Sequence, residues 1–511
     1  MFTERTVDSK AGGLESECLA AVGKRLEELG RWLTRAVGDE AALDTVERHL
    51  FQEVLALGRG LMQGFLAAVG PGDLGPEVRL DNGQNVRRWP QPQDRRVRTV
   101  FGEFSVNRYL YGTRPDQKIE LVPTDQRLGL PASEVSYLLQ EWDQLLGIEH
   151  AFGSVRETLQ TILGLGQSVD TLERGNRQMA EAAPGFRQAQ GAPKPEQEGT
   201  VLVASEDNKG VPMVRPAAAA PAGCHRSKGQ KANKKQMACI GCVYTVGPHV
   251  RTAQELTATL FRDAARPRSA PPKAQQKRYW VALTREEDGE LVRGQQEVFA
   301  QMARDIARRR KPGQTLVHLS DGQHSLETDR KQYLPADSPQ AKVVDILDLM
   351  HGTPRLWEAA HLFHPEGSIA ASQFVRQRLE RMLEGEAGRV VGGLRQMGTK
   401  HRLGGAAKAR LTVLCDFLEG NLHRMHYDEY LKAGYPIATG VIEGACRHVI
   451  KDRMERAGMR WKVPGAQAML QLRAIHVNGD WQAFQTYRIK QETVRLYPHQ
   501  VLETTPQSKA A

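Results

Sequence analysis

The segment TVLVASEDNKG, residues 200–210, decides the fold of the larger part of this chain. It opens with a short apolar run rich in β-branched residues, which is typical of a buried strand. An acidic pair, Glu206 and Asp207, follows this run, and Lys209 and Gly210 come next. Neighbouring residues of an extended chain point to opposite sides, so only one carboxylate of the pair faces a given site. We choose Asp207 because Lys209 and Gly210 follow it.

Four further segments have the same apolar character and are predicted to be strands. They are MACIGCVYTV (237–246), RYWVALT (278–284), QTLVHLS (314–320) and KVVDILDLM (342–350). The spacing of apolar residues predicts an amphipathic helix over 291–310, between the second and the third of these. Strands that alternate with helices indicate a mixed α/β domain.

Two more acidic residues stand at unusual places. Asp321 directly follows the predicted strand QTLVHLS, and Glu443 lies between two glycines at the start of a helical run. An acidic residue at the carboxyl end of a core strand points into the crevice where α/β sheets bind ligands. Three converging carboxylates would repel one another unless cations neutralised them, and hard oxygen ligands select Mg²⁺ or Mn²⁺. For Asp207 or Asp321 alone, a simple turn residue after a strand is the favoured interpretation.

The part of the chain before residue 181 is mainly helical in pattern. We predict a helical region over 1–75, a segment with a β-hairpin over 76–130, and a helix-turn-helix candidate over 131–180. In that candidate Ser168 is placed to cap the last helix, which carries Arg174 and Arg177. An ordinary helical bundle explains the same pattern equally well.

The remaining boundaries follow from changes in composition. Residues 181–199 are rich in Ala, Pro, Gly and Gln, which predicts a linker. Residues 200–490 form the predicted α/β domain, with a charged helical insertion at about 365–435. Residues 491–511 are predicted to be a tail.

Length and composition exclude several classes of protein. A chain of 511 residues exceeds the size of one hydrophobic core, so more than one domain is expected. Six cysteines are too few for a disulfide scaffold, and we expect a reducing cytoplasm as the location. No apolar run is long enough for a membrane span. The net charge of +10 favours a polyanionic partner only if the basic residues cluster.

Basic residues do cluster around all three acids along the sequence. A protein that binds DNA needs this arrangement, because phosphate contacts supply most of the affinity. Trp461 is a candidate for stacking on a base, although burial is the more common fate of such a ring. The predicted DNA-binding residues beyond Arg174 and Arg177 are Lys209, Lys228, Lys231, Lys234, Lys235, Arg447, Lys451, Arg453, Arg456 and Trp461.

The amino-acid sequences of several segments, and their order along the chain, resemble one known family. These segments are LVASEDNKGVPM (202–213), KKQMACIGCVYTV (234–246), HLSDGQ (318–323) and the long block MHYDEYLKAGYPIATGVIEGACRHVIKDRMERAGMRWKVPGAQAMLQLRAIHVNGDW (425–481). They look like the ISKra-type transposases of bacterial insertion sequences, which are DDE transposases with an RNase H-like catalytic domain. The resemblance extends over roughly residues 100–485.

The resemblance implies magnesium-dependent cleavage and transfer of DNA strands at the ends of an insertion sequence. It places the catalytic, metal-binding triad on Asp207, Asp321 and Glu443, which would hold two Mg²⁺ or Mn²⁺ ions. The implied partners are transposon-end DNA and target DNA, with a homodimer or larger assembly on DNA. It implies no membrane and no small-molecule cofactor, and a bacterial cytoplasm with association to the nucleoid when DNA is bound.

Two features depart from the expected family pattern. Asn208 follows the first acid, where a small residue is expected, and 122 residues separate Asp321 from Glu443. A helical insertion accounts for that distance. Competing candidates for the third acid are Asp345, Asp348, Asp428 and Glu429.

Other interpretations stay open. The same carboxylates suit an RNase H-like nuclease that hydrolyses without joining, and a catalytically inactive DNA-binding protein would not use them at all. Asp345, Asp348 and His351 are spaced so that one could serve as an extra ligand or proton shuttle, but a solvated strand-to-helix junction is favoured. Cys239 and Cys242 are expected to be small buried side chains rather than metal ligands.

Overall fold

A computed structural model describes residues 12–114, 118–214, 235–264, 270–287, 289–438 and 440–504. The chain divides into two compact units. Unit 1 comprises Met1–Ala182 together with Gln482–Ala511, and unit 2 comprises Ala183–Trp481. The predicted regions 1–75, 76–130 and 131–180 all fall within unit 1. The predicted α/β domain at 200–490 corresponds approximately to unit 2.

The helices and strands follow one another along the chain in this order. The first part contains α1 (Gly12–Gly38), α2 (Leu43–Val69), β1 (Glu77–Leu80), β2 (Asn85–Arg88), β3 (Gln93–Thr99), β4 (Gly102–Arg108), β5 (Tyr111–Gly112), β6 (Ile119–Leu121), α3 (Pro123–Leu128), α4 (Tyr137–Glu149), α5 (Phe152–Leu163) and α6 (Val169–Ala180). Unit 2 begins with α7 (Ala183–Ala189), β7 (Val201–Pro212), β8 (Lys235–Val246), α8 (Ala253–Leu260), β9 (Gln275–Leu283), β10 (Arg285–Glu287), β11 (Glu290–Val292), α9 (Gly294–Arg309), β12 (Leu316–Ser320), α10 (His324–Tyr333) and β13 (Val343–Leu347). It continues with α11 (Leu349–Ala360), α12 (Ile369–Leu383), α13 (Ala387–Lys400), α14 (Gly405–Gly420), α15 (Tyr427–Lys432), α16 (Gly440–Ala445), α17 (Asp452–Met454) and α18 (Val463–Val477), and the chain then forms α19 (Trp481–Leu496) and β14 (Val501–Thr504). Among the described helices, none has both the length and the apolar character to cross a membrane.

Unit 2 is built on a mixed five-stranded sheet with the order β13-β12-β7-β8-β9. The strands β7, β8 and β9 are antiparallel neighbours, whereas β12 pairs in parallel with β7, and β13 in parallel with β12. All five strands overlap the apolar segments that the sequence singles out, although β7 extends beyond its apolar run to Pro212. The mixed α/β class predicted for this part of the chain is therefore confirmed.

One face of this sheet packs against α9 and α10. Val298, Phe299 and Met302 of α9 belong to a buried cluster with residues of β7, β8, β9 and β12. Gly241 of β8 lies directly beneath α9, where an added Cβ would collide with Met302 and Val298. A glycine is needed there because the helix approaches the strand so closely.

Both cysteines of the Cys239–Cys242 pair are buried within β8. Burial raises the pKa of each thiol well above its ordinary value, because a charged thiolate would lose its hydration. The expectation of small buried side chains is confirmed.

A group of helices separates β13 from the helix that carries Glu443. The helices α12 to α15 fill residues 369–432, which agrees with the insertion predicted at about 365–435. Their apolar faces supply a buried set of their own, including Phe374, Leu379, Leu394 and Leu414.

Unit 1 combines helices with a second five-stranded sheet of order β14-β1-β2-β5-β6 and a separate hairpin, β3–β4. The hairpin pairs Gln93 with Arg108 at one end and Thr99 with Gly102 at the other. A hairpin was predicted within residues 76–130, and β3 and β4 lie inside that segment. Gly102 adopts a positive φ of 122° directly after the turn, a conformation that favours glycine.

The predicted cap of α6 is present. The Ser168 hydroxyl accepts a hydrogen bond from the Thr171 amide at 3.0 Å, and α5 precedes it across a turn. On α6 the Arg174 side chain is exposed and pairs with Asp170 at 2.8 Å, while Arg177 is half-buried. The helix-turn-helix assignment itself stays a prediction.

Two boundary predictions are wrong. Residues 181–199 are not a linker: Phe186 of α7 is buried, and Glu198 pairs with the buried Arg309 at 2.9 Å. Residues 491–504 are not a tail, because α19 continues to Leu496 and β14 pairs with β1. Alanine-rich and polar segments can pack in these ways when a partner surface is supplied by distant parts of the chain. Residues 505–511 lie outside the described residues.

We predict that Arg309→Met lowers the free energy of unfolding by about 3 kcal/mol, because it leaves the buried Glu198 carboxylate without its cationic partner and takes from Asp305 one of its two arginines, Arg278 being the other. Arg304→Met, on an exposed position of the same helix, should change it by less than about 0.5 kcal/mol. Urea denaturation followed by circular dichroism measures both. Equal effects of the two substitutions would contradict a structural role for the buried ion pairs.

Candidate functional site

Asp207 lies in the middle of the long strand β7 rather than at its end. The strand continues through Asn208 to Pro212 because β8 pairs with all twelve of its residues. The Asp207 side chain is only 5% exposed and has three polar neighbours. Its Oδ2 accepts a hydrogen bond from Cys446 Sγ at 3.1 Å and lies 2.8 Å from Lys209 Nζ, and its Oδ1 accepts from the Asn208 amide. The prediction that it directly follows its strand is therefore corrected.

The parallel pairing of the central strands places three acids at one level. Leu319 of β12 pairs with Ser205 of β7, so extending the register by two residues brings Asp321 level with Asp207. Ser320 pairs with Leu347 of β13, and one residue further Asp348 comes level with Asp321. Side chains alternate along a strand, so these three carboxylates belong to the same face of the sheet.

The charges at this level act on one another. Burial, and next to it the negative charge of Asp207, raises the pKa of Asp321 above its ordinary value, although the Gln323 amide and His351 act in the opposite direction. Burial alone would lower the pKa of Lys209, but its bond to Asp207 and the nearby charge of Glu443 outweigh burial and raise it. The Lys209 ammonium is thus the cation that neutralises Asp207 in this structure.

Glu443 reaches the same region from the first turn of α16. Its carboxylate is 45% exposed, and its Oε1 lies 3.9 Å from His351 Nε2. After α16 the helix widens to a π-helical turn over Cys446–Lys451, and Cys446 at its start donates to Asp207. This contact holds the helix of Glu443 against the strand of Asp207. Widened turns of this kind frequently occur at functional sites.

Asp348 and His351 belong to this cluster, although a solvated junction was the favoured interpretation of both from sequence. Asp348 is buried and accepts the Met350 amide at 2.8 Å as the N-cap of α11, and its other oxygen lies 3.3 Å from His351 Nδ1. The bond to Asp348, and the charges of Asp321 and Asp207, raise the pKa of His351. The favoured interpretation of a solvated junction is therefore wrong for Asp348, whereas the His351 side chain is about one-third exposed. Their spacing of three residues was the available signal, but nothing in it revealed that β13 adjoins β12.

The opposite face of the sheet carries a second charged group. His318 of β12 is buried between Glu206, at 2.9 Å from its Nε2, and Asp345, at 3.1 Å from its Nδ1. Arg330 of α10 pairs with the same Asp345 at 2.7 Å. Glu206 thus faces away from Asp207, as the alternation of the strand requires.

A bound cation would have to be compatible with this donor set. The carboxylates of Asp207, Asp321 and Glu443 are hard oxygen donors, which suits Mg²⁺ or Mn²⁺. In the part of the chain that the structure describes, however, no group of three or more His, Cys, Asp or Glu side chains stands close enough together to hold a metal ion. The carboxylate oxygens are of the right chemical type for such a cation, but in this structure they do not stand close enough together to share one.

The predicted DNA-binding residues of unit 2 separate into exposed and buried sets. Arg447, Lys451 and Arg456 are exposed on the segment that follows Glu443. Lys235 is partly exposed and pairs with Glu455 at 2.7 Å. Lys228, Lys231 and Lys234 lie outside the described residues.

Arg453 and Trp461 require a correction, because both are in the interior. Arg453 is 1% exposed, and its guanidinium lies 4.7 Å from the centre of the Trp461 ring. The Trp461 indole N–H donates to the Met454 carbonyl at 3.2 Å. Neither side chain is available to contact DNA, since together they form a cation–π pair that packs the segment after Glu443.

Comparison with known proteins adds little to this description. No protein family model matches the chain, and no curated protein matches it significantly. Among solved structures, the Drosophila P element transposase strand transfer complex is similar to it with 10% sequence identity and a TM-score of 0.23, over 71% of this chain and 85% of that chain. A similarity this low carries no argument about fold or function, so both rest on the residues of the chain itself.

We predict that His318 makes stability depend on pH. Burial by itself lowers its pKa, but Glu206 and Asp345 outweigh burial and raise it from 6.5 to about 9. Because the folded value is the higher one, the stabilisation is complete below about pH 6.5 and is lost as the pH rises through 9.

His318→Gln removes this contribution, so the loss in free energy of unfolding relative to the natural chain should be larger at pH 6 than at pH 9.5. The exposed His324→Gln variant is the control and should show no such trend. Urea denaturation at each pH measures the difference, and a loss that is the same at both pH values would rule out this role.

Proposed function

We propose that this chain is a DNA transposase of the DDE type, which cleaves the ends of an insertion sequence and joins the freed 3′-hydroxyls to target DNA. The observation that carries the proposal is the placement of the acids. Asp207 and Asp321 stand level on neighbouring parallel strands, and the helix of Glu443 is held against the strand of Asp207 by Cys446. The mixed sheet of unit 2, three antiparallel strands followed by two parallel ones, supports an RNase H-like catalytic domain.

In this proposal Asp207, Asp321 and Glu443 hold two Mg²⁺ or Mn²⁺ ions. Such ions activate a water or a 3′-hydroxyl and stabilise the leaving oxygen of a phosphodiester. Binding requires Lys209 to release Asp207 and the half-exposed Glu443 side chain to turn inward. Burial raises the pKa of Asp321, and the charge of Asp207 adds to this, so a bound cation would stabilise the charged form of a carboxylate that is costly to keep ionised.

The other residues of the cluster have roles that follow from their contacts. Lys209, once it leaves Asp207, can neutralise a phosphate of the bound strand. His351 is oriented by Asp348, whose hydrogen bond raises the pKa of the imidazole, and it stands beside Glu443. Arg447, Lys451 and Arg456 are placed to contact the DNA backbone near Glu443, and Arg174 and Arg177 are proposed for the recognition helix.

We expect Asp207→Asn, Asp321→Asn and Glu443→Gln each to lower strand cleavage and joining by about 10³-fold or more, with binding of end DNA retained. Glu429→Gln changes an exposed acid on the neighbouring helix α15 and should leave both activities unchanged. Labelled end DNA with Mg²⁺ and a target plasmid, resolved on a denaturing gel, measures cleavage and joining separately.

The outcomes of that assay distinguish three functions. Cleavage without joined products would identify a nuclease that uses the same acids. Binding of end DNA without either reaction in the natural chain would identify an inactive DNA-binding protein. Full activity in the Asp207→Asn variant would contradict the proposed site.

Direct binding of Mn²⁺ tests the site without any reaction. Asp207→Asn and Asp321→Asn should weaken Mn²⁺ binding at least about tenfold, because each removes a charged donor. Lys209→Met should strengthen it several-fold, since it removes the ammonium that competes for Asp207. Titration calorimetry in the absence of DNA measures the affinities, with Glu429→Gln as the matched control, and unchanged binding in Lys209→Met would show that the ammonium does not compete.

A further inference from the structure

The helices α1 and α2 form an antiparallel hairpin in unit 1 whose outer surface is unusually apolar. Nine large apolar side chains on these two helices are between 38% and 81% exposed. We call them the apolar face of the hairpin: Leu19, Leu26, Val37, Leu43, Leu50, Phe51, Val54, Leu61 and Phe65. We infer that this face binds the same face of a second copy of the chain, so that two hairpins form a four-helix bundle.

The contacts between α1 and α2 define the seam of the hairpin. Arg25 pairs with Glu53 at 2.7 Å, and the rings of Trp32 and His49 are 3.9 Å apart. Further along, two glycines of α2 lie against Cys18 and Val22 of α1, so that the seam closes tightly. Residues of the apolar face take no part in these contacts.

The position of the face relative to the seam is the same in both helices. On α1, Leu19 follows Cys18 and Leu26 follows Arg25, and on α2 the residues Leu50, Val54, Leu61 and Phe65 follow His49, Glu53, Gly60 and Gly64. One residue turns an α-helix by about 100°. Because the two helices are antiparallel, this common step turns both apolar stripes to the same side of the hairpin. The hairpin therefore presents one continuous apolar surface instead of two separate ones.

The spacing of the apolar residues along each helix indicates that the binding partner of this face is itself helical. Leu19 and Leu26 are seven residues apart, as are Leu43 and Leu50, and again Val54 and Leu61. A seven-residue repeat is the spacing with which helices supercoil around one another in bundles. The repeat occurs on both helices, so the occupant should offer two helices of matching length. A second copy of this hairpin meets that requirement.

The size of the surface also fits a dimer. Each helix has 27 residues and is about 40 Å long, and two adjacent helices are about 20 Å wide, so one side of the hairpin, with its polar residues included, measures about 800 Å². A stable dimer buries about 800 Å² on each partner. Exposed apolar side chains that are contiguous, as on this face, mark sites of protein–protein contact.

The inference is independent of the chemistry at the carboxylates, and the full-length chain tests it without DNA. Size-exclusion chromatography with light scattering should give twice 56.9 kDa for the natural chain at micromolar concentration. Leu26→Glu combined with Val54→Glu should give a single-copy mass, because it places charges on both stripes. Glutamate is a good helix former and both sites are exposed, so circular dichroism should show unchanged helix content.

The matched control is Leu291→Glu, which changes an equally exposed leucine in unit 2 and should leave the dimer intact. If the glutamate pair lowers the helix content, Leu19→Gln with Leu61→Gln should still weaken the dimer at least tenfold. A natural chain that stays monomeric at about 50 µM would overturn the inference and assign the face to another protein. A dimer that persists in both double variants would overturn it as well.

Discussion

The parallel pairing of β12 with β7 is the constraint on which the candidate site depends. Leu319 lies opposite Ser205, and this register alone decides that Asp321 comes level with Asp207. A shift of one residue would turn Asp321 to the other face of the sheet, toward α9 and α10. The apolar residues of β7 and β12 hold the register from within, since Leu202, Val203, Val317 and Leu319 are fully buried.

Negative charge accumulates on both faces near the ends of these strands, and each face has its own cations. On one face His318 stands between Glu206 and Asp345, with Arg330 beside them. On the other face the compensation is partial, because Lys209 pairs with Asp207 while the pKa of Asp321 stays raised. On the first face the acids are paired with His318 and Arg330 in the interior. The second face retains unbalanced negative charge and an exposed carboxylate, that of Glu443. This asymmetry is the reason that we propose the second face, rather than the first, as the place where cations bind.

The five strands of the main sheet of unit 2 could be predicted from sequence, because their β-branched apolar runs are distinct from the charged helices around them, whereas the short polar pair β10 and β11 was not predicted. The extension of β7 beyond Ser205 could not, since Glu206 to Gly210 are polar and are held in the strand by pairing with β8. Asp348 and His351 were undervalued for a related reason: their proximity to Asp321 depends on which strand neighbours β12. The burial of Arg453 against Trp461 was also beyond prediction, because a charge run on a helix is normally solvated.

Asp321 and Glu443 are 122 residues apart in sequence, yet both lie at the candidate site, because the helical insertion returns to the sheet before α16 begins. The Tyr427 hydroxyl donates to the Leu347 carbonyl at the end of β13, and the Leu349 amide donates to the Ile437 carbonyl, both at 2.9 Å. These two bonds bring the chain back to the end of β13 just before α16 begins. The helices α12 to α14 lie before this return, so the position of Glu443 depends on the return of the chain through α15 and on the contact of Cys446 with Asp207. Sequence distance between the acids is thus no measure of their separation in the fold.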